Sequence, residues 1–281
     1  MVENRPLLTL FTHLFLMVGI VIVVFPIYIA LVASTHEVQD ILTTVQGWFG
    51  SAMIENYSTI LISGKESSRG IPVWMMMLNS LIMALGIVIG KISISIISAY
   101  AIVYFRFPFR MFFFWLIFVT LMLPVEVRIL PTYEVVANLG LLNSYAGLIL
   151  PLIASATATF LFRQFFLTIP DELAEAARVD GAGPFRFFFD ILLPLSRTNI
   201  AALFVILFIY GWNQYLWPLL VTTEQNMTTI VMGIQAMLYV PDDINEWNIT
   251  MATAILAMLP PVLIIIVMQR QFVKGLVETE K

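Results

Sequence analysis

The chain contains no cysteine and only two histidines, His13 and His36. Disulfides, thiolate metal sites and cysteine nucleophiles are thereby excluded, and a histidine-rich metal centre has no residues to build it. Charge is scarce as well. Only 11% of the 281 residues are Asp, Glu, Lys or Arg, against roughly 25% in a soluble domain. The net charge of −4 is far from the basic balance of a nucleic-acid binder. A glycine-rich phosphate loop of the GxxxxGK[ST] type is missing, so any ATP hydrolysis linked to this chain belongs to another polypeptide. The apolar stretches also lack a His–carboxylate cluster or a nucleophile with an evident base, which argues against a membrane enzyme.

Apolar residues make up 60% of the chain, in runs long enough to cross a bilayer, which takes about 20 residues per helix. Such runs occur at 10–33, 73–105, 111–127, 144–166, 198–221 and 249–268. The expected fold class is an all-α integral membrane protein with six transmembrane helices. The first run exceeds the apolar core of a signal peptide, about 7–15 residues, and reads as a retained anchor. The expected organisation is a first helix with its outer loop (1–72), a transmembrane core (73–272) and a tail (273–281). Six spans put both termini on one side. The positive-inside rule makes that side cytoplasmic, because Arg5, Arg106, Arg110, Arg163, Arg178, Arg186, Arg197, Arg270, Lys274 and Lys281 then lie inside and only Lys65, Arg69 and Arg128 outside.

Between the fourth and fifth runs lies a polar insert, 169–197. It carries Glu175-Ala176-Ala177, three residues, Gly181, nine residues, then Ile191-x-Leu193-Pro194. Thr168 is placed to cap a helix here, with Pro170 in its first turn and Asp171 and Glu172 complementing its dipole. Leu173, Ala176 and Ala177 fall on one face at i, i+3 and i+4. Gly181 stands where a left-handed residue ends a helix, and Pro184 restarts one whose apolar face is Phe185, Phe188 and Phe189. Without the fixed spacing, this segment would read as an amphipathic connector on the membrane surface.

The spacing resembles the EAA loop of binding-protein-dependent ABC importer permeases. Further likenesses are Asn79-Ser80, Ala99-Tyr100-Ala101 with Phe105-Arg106-Phe107-Pro108, Leu139-Gly140-Leu141-Leu142-Asn143-Ser144, Trp212-Asn213 and Trp217-Pro218. They resemble the sugar-importer branch over about 78–272, and Gly90-Lys91, Leu123-Pro124-Val125-Glu126-Val127-Arg128 and the stretch from Gly211 to Leu220 resemble the glycerol-3-phosphate importers within it. The resemblance implies a type I importer fold in the inner membrane of a bacterium. It also implies a second homologous permease, two ATP-binding subunits that hold the ATP and magnesium, and an outer solute-binding protein. This chain would bind no cofactor itself. Glu175, Ala176, Ala177, Asp180, Gly181, Ile191, Leu193 and Pro194 would form the element that couples to the ATPase.

Charges within a span are costly and usually functional or paired. Lys91 lies about 21 Å from the inner end of its run, and Glu126 and Arg128 lie at the tail of the third run. Two cations suit an anionic, phosphate-bearing cargo; a Lys91–Glu126 pair with Arg128 snorkelling to head groups is the plainer possibility. Trp212, Asn213, Tyr215 and Trp217 are candidates to line the path, although aromatics at helical spacing are often packing residues or interface anchors. Pro124, Pro151, Pro218, Pro260 and Pro261 permit bends tolerated only where protein or water satisfies the backbone. The rival transport classes are a permease for neutral sugars and an ion-driven transporter built from inverted repeats. No pairing of halves is visible for the latter.

Overall fold

A computed structural model describes residues 6–64, 70–123, 125–238 and 245–277. Among them the regular structure is helical. In chain order the helices are α1 (Pro6–Ala33), α2 (Val38–Thr43), α3 (Met53–Ser58), α4 (Val73–Tyr104), α5 (Arg110–Val119), α6 (Val125–Asn138), α7 (Tyr145–Ile149), α8 (Ala156–Leu167), α9 (Asp171–Val179), α10 (Pro184–Arg186), α11 (Leu193–Leu195), α12 (Arg197–Trp212), α13 (Leu216–Val221), α14 (Ile230–Leu238) and α15 (Trp247–Val277). Three helical stretches, Leu7–Ala33, Val73–Tyr104 and Trp247–Arg270, are long and apolar enough to cross a membrane. Two bent pairs, Tyr145–Leu152 with Ala156–Leu167 and Pro184–Leu195 with Arg197–Trp212, raise the number to at most five among the described residues.

Several expected boundaries differ. The third apolar run does not continue to 127: α5 is ten residues long, tightens into a 3-10 turn at Thr120–Met122, and stops. A separate helix, α6, follows, with Pro131 inside it. Pro124 lies outside the described residues. The fourth run bends by 48°. There Pro151 sits in a 3-10 turn, and Ser155 caps α8 by accepting the Ala158 N–H at 3.2 Å. By contrast Pro260 and Pro261 lie within α15, which continues through both.

The chain divides into two compact units. The first joins residues 1–75 to 233–259. It is knitted by Asn56, whose amide donates to the Ser34 and His36 carbonyls at 3.0 and 2.9 Å, while its oxygen accepts from Asn248 at 3.2 Å. In α1 the side chains from Leu7 to Phe25 are mostly exposed and apolar on every face, which suits lipid rather than water.

The second unit joins residues 76–232 to 260–281. Its core centres on Met83, Ile87, Val136, Leu148, Trp217, Val221 and Met227. Here α4 and α12 approach closely, because Gly211 has no side chain: a Cβ there would stand 3.0 Å from the Ala84 Cα. Asn79, six residues into α4, donates to the Asn226 and Thr228 carbonyls at 2.7 and 2.9 Å and accepts the Tyr145 hydroxyl at 2.6 Å. Ser80 accepts the Ile230 N–H at 2.8 Å. The Asn79-Ser80 pair thus stitches the loop after α13 onto α4. Replacing Asn79 by Ala strands these buried groups and is expected to lower stability by about 2 kcal/mol or more, measured by thermal unfolding of the purified protein in detergent.

Candidate coupling loop and translocation path

The 169–197 insert builds a short helix with an exposed acidic surface. Thr168 does not cap it. Its hydroxyl donates backwards to the Phe165 carbonyl at 2.7 Å and closes α8. The cap position is Pro170, in extended conformation, whose carbonyl accepts the Leu173 N–H at 3.2 Å. The reason is local: the residue before a proline is driven out of the helical region, so Ile169 cannot join the helix and α9 begins just after Pro170. Asp171 and Glu172 fill the first turn, where the helix dipole favours them.

The other end follows the sequence reading. Gly181 has φ of 73°. The Ala182 N–H reaches the Ala177 carbonyl at 2.8 Å and the Gly181 N–H reaches that of Arg178 at 3.0 Å, which together form a Schellman motif. Glu175, Ala176, Asp180 and Gly181 are exposed, and Val179 is 87% exposed. Ala177 turns inward and is buried, while Leu173 stays on the outside. The expected common face of these residues is therefore split.

After Gly181 the expected aromatic face also shifts. Phe187 and Phe188 are buried, whereas Phe185 and Phe189 are exposed. Residues Phe187–Leu192 form a π-helical turn. Pro194 explains it: the ring has no N–H and would press on the Asp190 carbonyl of a regular α-turn, a clash that a wider turn relieves. Ile191, Leu193 and Pro194 are half-buried, and Leu192 between them is fully buried. The Ser196 hydroxyl donates to the Leu192 carbonyl at 2.7 Å, at the 69° bend into α12.

Lys91 is buried on the face of α4 that includes Val88 and Ser95. Helical side chains lean towards the N-terminus of their helix, and the ammonium comes to rest 4.0 Å from the ring centroid of Tyr210 on α12. This is cation–π geometry. Arg128 is exposed on α6. The side chain of Glu126 lies outside the described residues. Of the four candidate path residues on 212–217, Asn213 is exposed and Tyr215 half-buried. Trp212 is buried and stacked on Phe208 with centroids 5.7 Å apart. Trp217, expected beside the path, is a core residue whose indole N–H donates to the Gly147 carbonyl at 3.2 Å. Its neighbours are apolar, so packing rather than solvent claims it.

Residues 91–278 match the model of a family described as binding-protein-dependent transport system inner membrane component. The chain belongs to this permease family. It is 61% identical over 282 residues to the sn-glycerol-3-phosphate transport system permease protein UgpE of Agrobacterium fabrum, covering 100% of both chains. It is 58% identical, with the same coverage, to the protein of that name from Salmonella typhi. A crystal structure of a bacterial ABC transporter involved in the import of the acidic polysaccharide alginate contains a chain of the same fold. The TM-score is 0.81 at 18% identity, with 97% of this chain and 99% of that one covered.

Three residues of the permease escaped sequence reasoning. Tyr210 meets Lys91 across two helices 119 residues apart in sequence (210 − 91), a distance no local pattern spans. Phe187 and Leu192 owe their burial to the wide turn before Pro194. The proline is the one signal that could have revealed the altered register.

Proposed function

We propose that the chain is the membrane-spanning permease subunit of an ATP-driven importer for sn-glycerol 3-phosphate. The supporting observation is full-length identity of 61% and 58% to permeases named for that cargo. In this reading six helices cross the inner membrane, with both termini and the 169–197 loop in the cytoplasm. The exposed Glu175–Gly181 surface docks on one of two ATP-binding subunits, which supply the ATP, magnesium and hydrolysis. A second homologous permease completes the cavity, and an outer binding protein delivers the cargo.

The physical support for an anionic cargo is the pair Lys91 and Arg128. Lys91 is a cation buried on a spanning helix and Arg128 is a second cation, exposed on α6; a doubly charged phosphate is the kind of cargo that such groups recognise. A neutral sugar offers them no charge.

The test is reconstitution of the complete complex with its binding protein in proteoliposomes. sn-Glycerol 3-phosphate is expected to stimulate ATP hydrolysis, whereas glycerol and a neutral oligosaccharide leave it at the basal rate. Stimulation by the neutral sugar alone overturns the cargo assignment. Uptake by the purified chain without any ATPase overturns the importer class.

A further inference from the structure

The helix that carries Lys91 also holds the coupling loop. α4 runs from Val73 to Tyr104 without an internal proline, so Lys91 and Tyr100 share one rigid element, about 13 Å apart along its axis. At Tyr100 this helix meets the segment just past the Gly181 turn. The Tyr100 hydroxyl donates to the Pro184 carbonyl at 2.9 Å, and its ring lies 6.4 and 5.0 Å, centroid to centroid, from Phe187 and Phe188.

Tyr104, one turn further on, packs on Phe187 at 5.2 Å, yet its hydroxyl is buried with no hydrogen-bond partner. A cavity of about 270 Å³ separates these two tyrosines from Ala174 and Ala177 on the inner face of α9. Arg106 and Arg178 line the same cavity. Rings in contact can slide over one another, whereas a hydrogen bond fixes direction and register. The polar tie at Pro184 therefore sets how the loop sits on α4.

We infer that Tyr100 is a positioning residue for energy coupling: through Pro184 it ties the loop to α4, so that displacement of the coupling helix over the void is passed along α4 to the level of Lys91. The inference rests on the proposed docking of Glu175–Gly181 to an ATPase. Tyr104 supplies a matched comparison, since it has the same ring, in the same cluster, without the tie.

The experiment compares Tyr100→Phe with Tyr104→Phe in the complete complex, reading cargo molecules taken up per ATP hydrolysed. Tyr100→Phe removes one solvent-accessible hydrogen bond and keeps the ring, so the ratio is expected to fall about two- to fivefold. Subunit assembly and basal ATP hydrolysis stay as in the unaltered complex. Tyr104→Phe, which removes a hydroxyl that bonds to nothing, is expected to keep the unaltered ratio. An undiminished ratio in Tyr100→Phe, or equal falls in both variants, overturns the inference. Gly181→Val run alongside separates the two readings. If it uncouples and Tyr100→Phe does not, only the tie fails; if neither uncouples, the docking role of the loop fails as well.

Discussion

Replacing Gly181 by Val is expected to cut uptake by at least about tenfold while the complex assembles and continues to hydrolyse ATP. Gly181 has φ of 73°, a region that costs an L-residue roughly 1–2 kcal/mol, and a β-branched one more. Nothing stands within 4 Å of where its Cβ would be, so the penalty falls on the backbone and not on packing. The cheapest escape is to unwind the last turn of α9, giving up the two bonds that return to Ala177 and Arg178. The exposed surface offered by Glu175 and Asp180 is then no longer held in one shape. Asn tolerates the left-handed region better than other residues with side chains, so Gly181→Asn should retain a larger share of uptake than Gly181→Val. Full uptake by the Val variant in proteoliposomes would remove the coupling role of this turn.

The second large effect is expected at Lys91. Lys91→Met keeps length and apolar stem but loses the charge, and a hydrogen bond to a charged group is worth roughly 1.5–3 kcal/mol. Uptake of glycerol 3-phosphate should therefore fall by at least about tenfold, with capture of the ATP-binding subunits unaffected, because the coupling loop meets α4 at Tyr100, about 13 Å further along the helix. The rise should appear in KM for the cargo-loaded binding protein more than in basal hydrolysis. If uptake is unchanged, Lys91 is structural.

Those two residues also mark what a reader of the bare chain can see. Gly181 was legible because helix termination is local: a glycine at a fixed distance after an acidic, alanine-rich segment has one usual conformation, and φ of 73° is that conformation. The long apolar helix was legible for the same reason, and the expected end at 105 stands one residue beyond the observed Tyr104. Lys91 stood out because charge is rare among apolar neighbours. Its partner Tyr210 did not, since nothing in Ile209-Tyr210-Gly211 says which helix will lie opposite. The run at 111–127 misled because apolar composition reports affinity for lipid or core, not continuity of hydrogen bonding; the helix there ends at Val119. Trp217 stayed ambiguous, for an indole at a helix start serves a cavity wall or a core equally well until its N–H finds the Gly147 carbonyl.

The length of α4 has a consequence of its own. Thirty-two residues make a rod about 48 Å long, whereas the hydrocarbon of a bilayer is only about 30 Å thick. Such a rod must lean, protrude, or do both. Because Tyr100 and Tyr104 lie at one extremity, the angle of lean decides how deep the Pro184 junction sits, and under the proposed coupling the acyl-chain length of the surrounding lipid becomes part of the gearing.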